Sequence, residues 1–307
     1  DNGCTDITTT TILEPTVLVL SATVTEPLCA GAADGTATAT GSGGTGALGY
    51  AWSSGGNAAN ETGLTAGTYT VSLSDANGCI TTTDVTLVDP ASITPTATAT
   101  SVTCNGGADG TVGANATGGD GSFTYNWSTL GAGQNQTNVS AGTYTVTVTD
   151  GNSCVTTTTA TVLEPVAVSV TTSGVSVTCN GGNDGSATAV GTGGEGGFTY
   201  AWSSGDNTAT ASDLTAGTYT VTASDASGCT ITETFEVVEP TGVTVTAVNT
   251  SVTCNGDDNG TATASGSGGI GTITYQWDAG AGFQTAATAT GLTEGTYSVT
   301  ATDDNGC

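Results

Sequence analysis

Apolar and polar residues alternate along this chain with a period of two. At 67–74 the order Gly-Thr-Tyr-Thr-Val-Ser-Leu-Ser puts Tyr69, Val71 and Leu73 on one side and Thr68, Thr70 and Ser72 on the other. Phe123, Tyr125 and Trp127 alternate with Thr124 and Asn126 in the same way, as do Phe198, Tyr200, Trp202 and Ile273, Tyr275, Trp277. A helix would spread such triplets around its circumference, whereas a strand gathers them on one face. β-branched residues fill the alternating runs, and Gly-rich stretches with Asp-Gly or Asn-Gly steps separate them. Over the first 90 residues the pattern predicts strands near 16–25, 35–41, 48–53, 57–63, 68–75 and 80–88, with room for one to split.

The pattern is copied. Leu-Thr-Ala-Gly-Thr-Tyr-Thr-Val stands at 64–71 and again at 214–221, with near copies at 139–146 and 292–299. Trp recurs at 52, 127, 202 and 277, and all eight tyrosines fall in two columns, 50, 125, 200, 275 and 69, 144, 219, 297. Acid-proline pairs mark the joints at Glu14-Pro15, Asp89-Pro90, Glu164-Pro165 and Glu239-Pro240. The spacing is 75 until the last copy, where three extra residues fall in the Gly-rich stretch after Trp277. A fixed period of this size means an array of small structural repeats.

Six or seven short strands in about 75 residues suit an immunoglobulin-like β-sandwich. The expected fold is all-β, a tandem array of four such repeats at 16–90, 91–165, 166–240 and 241–307, with 1–15 as the C-terminal strand of a preceding repeat. Leu-x-x-Gly-x-Tyr before a strand matches a tyrosine corner, in which the hydroxyl bonds back to nearby backbone. Trp52, Tyr69, Trp127, Tyr144, Trp202, Tyr219, Trp277 and Tyr297 are the expected core, because their strands alternate with Thr. Solvent-facing, the same aromatics would make a carbohydrate platform.

Cysteine falls in two columns, 29, 104, 179, 254 and 79, 154, 229, 307, with Cys4 left over. No metal-type CxxC pair is present, so disulfides and an oxidising, extracellular setting are expected. Three pairings fit: within a repeat, across a joint (Cys4–Cys29, Cys79–Cys104), or from one repeat to the distant cysteine of the next. The expected one is Cys29–Cys79, Cys104–Cys154, Cys179–Cys229 and Cys254–Cys307, because four intervening strands would put both cysteines at one end of the sandwich. That count carries a tension: an even strand total puts both termini at one end too, which suits a linear array poorly.

Composition narrows the function. The chain has 27 acidic residues and no Lys, Arg or His, a formal charge of −27 that repels nucleic acid and anionic membranes. Without those three residue types it lacks the usual general base, Schiff-base amine and anion clamp, and no carboxylate forms a unique cluster, so the reading is not an enzyme. With 9% charged and 36% hydrophobic residues it is a folded chain and not a disordered acidic tail. No apolar run is long enough to span a membrane. The copies of Asp-Asn-Gly-Cys at 1–4 and 304–307 suggest an excerpt from a longer repetitive protein.

Taken together, Cys-Asn-Gly-Gly-Ala-Asp-Gly at 104–110, Tyr-Asn-Trp at 125–127, Val-Ser-Ala-Gly-Thr-Tyr-Thr-Val at 139–146 and Asp-Gly-Asn-Ser-Cys at 150–154 resemble the SprB repeat. The order recurs in all four repeats; the first departs from it with Cys-Ala-Gly-Ala-Ala-Asp-Gly at 29–35, and the second with Asn152-Ser153 before its Cys. The resemblance implies tandem repeats of very large cell-surface adhesins, linked to gliding or attachment, and no catalytic residue.

Two acidic columns flank the cysteines: Asp34, Asp109, Asp184 and Asp258 after the first, Asp75, Asp150, Asp225 and Asp303 before the second. Hard oxygen ligands suit calcium, and an intra-repeat bridge would bring the columns together. Against this, Asp-Gly and Asp-x-Asn-Gly are turn sequences in which Asp bonds its own backbone. The joint acids Glu14, Asp89, Glu164 and Glu239 are linker residues or an interdomain ion site. Sequons at Asn60-Glu61-Thr62 and Asn126-Trp127-Ser128 arise readily in a Thr-rich chain. The function expected is a stiff stalk or filament segment of an extracellular adhesin, reaching on the order of 100–130 Å if four repeats stand in line. The competing reading is an adhesive module binding polysaccharide or protein. Its partners are further repeats, copies of itself, or surface polysaccharide and other surface proteins. Residues 5–13 form a strand without its domain, and repeat 4 lacks its last strand; either the chain continues, or one copy's strand completes another copy's last repeat.

Overall fold

Alternation becomes ladder. In a computed structural model describing residues 2–307, β1 (Val19–Thr25), β2 (Gly35–Ser42) and β4 (Asn60–Leu64) form one antiparallel sheet in the order β1-β2-β4. β3 (Gly49–Trp52), β5 (Gly67–Ser74) and β6 (Ile80–Leu87) form the other, in the order β3-β5-β6. The strands lie within a few residues of their expected positions. The second repeat adds a two-residue strand: β7 (Thr94–Thr100), β8 (Gly110–Thr117), β9 (Phe123–Trp127), β10 (Gly131–Ala132), β11 (Asn135–Val139), β12 (Gly142–Asp150) and β13 (Val155–Val162). The third has β14 (Ser169–Val175), β15 (Gly185–Thr192), β16 (Thr199–Trp202), β17 (Thr210–Leu214), β18 (Gly217–Ser224) and β19 (Thr230–Val237). The fourth has β20 (Thr244–Thr250), β21 (Gly260–Ser267), β22 (Thr274–Trp277), β23 (Thr288–Leu292) and β24 (Val299–Thr302), with a 3₁₀ turn at Ala279–Ala281 taking up the extra residues.

The fold is all-β, an array of four immunoglobulin-like sandwiches. Contacts divide the chain into two compact units, one of residues up to Ser101 with Ala108–Leu163, the other of Val102–Gly107 with Glu164–Cys307.

Packing explains the small residues of β2. Its inward positions are Gly35, Ala37, Ala39 and Gly41, facing Trp52, Val71, Leu73 and Leu87. A Cβ at Gly35 would lie 2.5 Å from Leu87 Cδ2, and one at Gly41 2.6 Å from Leu73 Cδ2. The sheets approach so closely that only small residues fit on one side, with large ones on the other.

Strand direction corrects the expected disulfides. The start of β2 packs on the end of β6 (Gly35 on Leu87), and the end of β2 on the end of β5 (Gly41 on Leu73). Since β4 is antiparallel to β2 and β3 antiparallel to β5, β3 and β4 run the same way, one in each sheet. They are two halves of one pass. Trp52 ends the first half and donates its Nε1–H to the Ala58 carbonyl at 2.9 Å, pinning the crossover. A repeat therefore makes five passes, not six. Its two ends lie at opposite poles, which removes the tension over a linear array. The two cysteines lie at opposite poles as well, so an intra-repeat bridge is out of reach.

Residues 5–13 belong to no strand in this chain, although a strand is expected there, because no sheet edge of the same chain pairs with them. Asp1 lies outside the described residues.

Candidate functional site

The residues with the most specific side-chain chemistry meet where one repeat adjoins the next. The bridges are Cys29–Cys154, Cys104–Cys229 and Cys179–Cys307, joining the first cysteine of a repeat to the second cysteine of its successor. The expected pairs Cys29–Cys79, Cys104–Cys154, Cys179–Cys229 and Cys254–Cys307 do not form. Cys79 and Cys254 are exposed thiols, as is Cys4.

The second cysteine is seated by the buried aspartate four residues before it. Asp75, Asp150, Asp225 and Asp303 are the buried charged side chains among the described residues. In each, Oδ1 accepts two amides of its own turn: Asn77 and Cys79, Asn152 and Cys154, Ser227 and Cys229, Asn305 and Cys307, all at 2.8–3.0 Å. Oδ2 accepts an amide from the loop between the second and third strands: Thr45 at 2.9 Å, Asp120 at 3.3 Å, Glu195 at 3.0 Å and Ile270 at 2.8 Å. Such donors hold a carboxylate in its charged form. The amide of Thr45 leads in lowering the Asp75 carboxyl below its ordinary range; Glu195 leads for Asp225 and Ile270 for Asp303.

The loop that meets Asp150 explains a diglycine in every repeat. Gly118 and Gly119 have φ of +84° and +51°. A Cβ at Gly118 would lie 2.1 Å from the Ser92 carbonyl, and one at Gly119 2.5 Å from Asp150 Oδ2. The diglycine is thus the floor on which both the post-proline segment and the aspartate rest. Gly119 N–H also donates to the Ala91 carbonyl at 2.8 Å.

The first cysteine carries the other half of the joint. Asn105 Nδ2 donates to the Pro165 carbonyl, and Asn180 Nδ2 to the Pro240 carbonyl, both at 3.0 Å. The neighbouring amides of Gly106 and Gly181 donate to the carboxylates of Glu164 and Glu239 at 2.9 and 2.8 Å. Cys-Asn-Gly-Gly and Glu-Pro, 58–60 residues apart, are therefore two halves of one clamp. Periodicity shows both motifs but not that they touch. In repeat 1 Ala30 replaces the asparagine and offers no amide to Pro90.

The acidic column after the first cysteine closes a local turn. Asp34 Oδ1 accepts the Leu28 amide at 3.1 Å, and Asp184 Oδ1 accepts that of Thr178 at 2.9 Å. The Thr178 hydroxyl also donates to Asp184, and it leads in lowering that carboxyl below its ordinary range. In repeat 4 the equivalent residue is Asn259, which accepts the Thr253 amide at 3.1 Å, and not Asp258 as its acidity suggests. Asp109 lies at the matching position in repeat 2. The intra-repeat bridge that would bring the two columns of one repeat together does not form. Among the described residues no group of three acidic or thiol side chains is arranged to hold a metal ion.

Trp52, Trp127, Trp202 and Trp277 are buried and present no platform to a sugar. Tyr69, Tyr144, Tyr219 and Tyr297 are partly buried, the first, third and fourth packed against the core, and each hydroxyl donates to the carbonyl four residues before it at 2.9–3.0 Å. No helix among the described residues is long and apolar enough to cross a membrane.

A family model described as SprB repeat matches four times, at 21–57, 96–132, 169–207 and 246–282. No curated protein matches significantly. Among solved structures, the N-terminal eight Ig domains of Down syndrome cell adhesion molecule isoform 1.30.30 align at 9% identity and a TM-score of 0.31, over 92% of this chain and 60% of theirs. This chain thus spans less than two thirds of that structure. Titin domains I67–I69 (an E-to-A variant) align at 13% identity and 0.32, over 74% and 99%. Invasin, a bacterial integrin-binding protein, aligns at 16% and 0.27, over 93% and 76%. At such scores the fold assignment rests on the chain's own strands and sheets.

Proposed function

The chain belongs to the SprB-repeat family, and from that premise we propose that it is a stalk segment of an extracellular surface adhesin, giving length and stiffness and performing no catalysis. SprB repeats belong to cell-surface proteins. Disulfides that persist require an oxidising compartment, which supports an extracellular place. The repeats divide at the acid-proline joints, into 16–90, 91–165, 166–240 and 241–307. Gliding or attachment is the cellular task that fits such a segment.

One observation carries the mechanical reading: the bridges overlap. Cys104 lies inside the 29–154 loop, and Cys179 inside the 104–229 loop. Tension along the oxidised chain passes through residues 1–29, crosses to 154, follows the backbone to 179 and crosses to 307. Only that path can stretch, to roughly 190 Å, whereas the reduced chain can reach roughly 1,000 Å. A sandwich pulled open in such a chain cannot pay out its length, and its strands stay close enough to refold.

Single-molecule extension with and without a thiol reductant tests this. The oxidised chain stops near the short limit and lengthens severalfold only after reduction. An oxidised chain that extends to the full contour would sink the proposal.

A further inference from the structure

Repeats 4 and 1 each depart from their siblings on the surface, and the two departures fit one another. In repeat 4, three extra residues fall between Trp277 and Gln284, at the crossover from β22 to β23. Phe283 lies there with φ of +56° and 65% of its surface exposed, the one exposed aromatic among the described residues. It directly precedes the carbonyl that accepts the Trp amide, the place of Gly55 in repeat 1 and Gly205 in repeat 3, which both have φ of +102°. Glycine makes that turn freely, whereas a bulky side chain is strained in it. The strain is held from both sides: the Phe283 amide donates to the Asp278 carbonyl, and Gln276 Nε2 donates to the Phe283 carbonyl, both at 3.0 Å. Asp278 itself accepts the amides of Ala281 and Ser298, at 3.2 and 2.6 Å. The fold gains nothing from a phenyl ring in water, so a strained residue held in place there points to a contact outside the repeat.

The second departure is an apolar recess. Leu28 and Ala30 flank Cys29 where the other repeats have Thr103 and Asn105, Thr178 and Asn180, Thr253 and Asn255. An open cleft of about 370 Å³ lies beside the Cys29–Cys154 bridge, lined by Leu28, Ala30, Pro90, Ile93 and Val155 among others. Leu28 and Val155 are 54% and 62% exposed. An apolar cavity of about 150 Å³ already holds a benzene ring. The one acid lining the cleft is Asp150, whose oxygens are committed to the amides of Asp120, Asn152 and Cys154. The matching cleft between repeats 3 and 4 is polar, with Asn180, Thr241 and Gly242 in the places of Ala30, Ala91 and Ser92, and Asn180 reaches across it to Pro240.

We propose that the cleft at the joint of repeats 1 and 2 receives Phe283 of a second copy of this chain. A second copy brings both halves of the contact, each confined to one repeat. Copies of charge −27 repel one another, so they meet where surface acids are few and already bonded. Both halves are of that kind: Asp278 under the ring and Asp150 in the cleft each hold backbone amides. The pinned loop presents its ring already in the bound conformation, which lowers the ordering cost of association. Ring and cleft are different surfaces, so each copy can give its ring to one neighbour and take the ring of another. A single contact of this size is weak, and neighbouring stalk segments hold together by making many.

The test uses the whole chain, bridges intact, with the exposed thiols of Cys4, Cys79 and Cys254 alkylated. Sedimentation equilibrium should show self-association that grows with protein concentration. It should strengthen as salt rises from about 0.01 M to about 0.1 M, because repulsion is then screened beyond about 10 Å. Phe283→Gly puts the siblings' residue in the strained position, so the melting temperature holds or rises while association weakens roughly 10- to 100-fold. Leu28→Thr with Ala30→Asn puts the siblings' residues in the cleft and should weaken association as much. At a concentration where neither variant associates alone, their mixture should form dimers, since one chain keeps the cleft and the other the ring. A chain monomeric at every salt concentration, association indifferent to either variant, or a mixture that stays monomeric would each overturn the proposal. Binding of a polysaccharide or another protein by Phe283 in a chain that never self-associates would overturn it too. The extension limit of the single chain is independent of all these results.

Discussion

The amide of Cys154 donates to Oδ1 of Asp150 at 2.8 Å, so the residue that bridges to Cys29 is itself seated by a buried carboxylate. The same carboxylate holds the amides of Asn152 and Asp120, tying the turn to the diglycine loop. Asp150→Ala leaves these donors without their charged acceptor, at a cost of about 2–3 kcal/mol. Repeat 2 should melt earlier, and Cys29–Cys154 should form more slowly on refolding. Thermal unfolding and thiol titration of the refolding chain measure the two effects, and wild-type values in both would remove the seating role.

Acid should act through the same column. The carboxyls of Asp75, Asp225 and Asp303 are held below their unfolded value of 3.8, led by the loop amides of Thr45, Glu195 and Ile270. A lowered folded value means stability that is present above the unfolded value and lost as pH falls through the folded one. Above that window a second effect has the opposite sign: 27 uncompensated acids repel one another, and protonating some relieves the strain. Melting temperature should rise slightly as pH drops from 7 towards about 4.5, then fall below 3.8. Added salt should reproduce the first change and not the second, because bonds within a turn are screened little. A melting temperature that climbs steadily down to pH 2 would contradict the role given to the aspartates.

The fold was legible because the chain writes one alternation four times, so strand positions, the tyrosine corner and the buried Trp column follow from the pattern and its period. Connectivity was not. Counting strands treats β3 and β4 as two passes, whereas they share one, and that single miscount reverses the pole on which Cys79 sits. The Asn105–Pro165 and Gly106–Glu164 contacts were hidden for a related reason. Periodicity reports what recurs at one spacing and is silent about which recurring motifs of different repeats face one another. Asp258 shows a further limit: chemical kind suggested the wrong residue, and position relative to Cys254 points to Asn259.

The pairing predicts that equivalent-looking cysteines differ in weight. Cys29→Ser opens a bridge that closes 125 residues, worth about 5 kcal/mol by loop-closure entropy, and leaves Cys154 as a new thiol. Cys79→Ser removes an exposed thiol and should leave the stability of the monomer unchanged. Denaturant midpoints of the two variants separate the cases. Equal losses would restore the bridge within a repeat.

The four tryptophans should also separate. Trp202 Nε1 donates to the Thr208 carbonyl at 3.2 Å, as Trp52 and Trp277 do to Ala58 and Ala286. Trp127 Nε1 is buried with no acceptor. In repeat 2 the crossover carries β10, which pairs with β9, so the loop is held by strand ladder in place of the indole. Both Trp→Phe changes lose ring contacts in a close-packed core. Only Trp202→Phe also loses a hydrogen bond, whereas Trp127→Phe removes an unpaired donor from the interior. Trp202→Phe should therefore be the more destabilising, by about 1 kcal/mol or more. Chemical denaturation of the two variants gives the comparison, and a larger loss at Trp127 would mean that its indole holds something the other three do not.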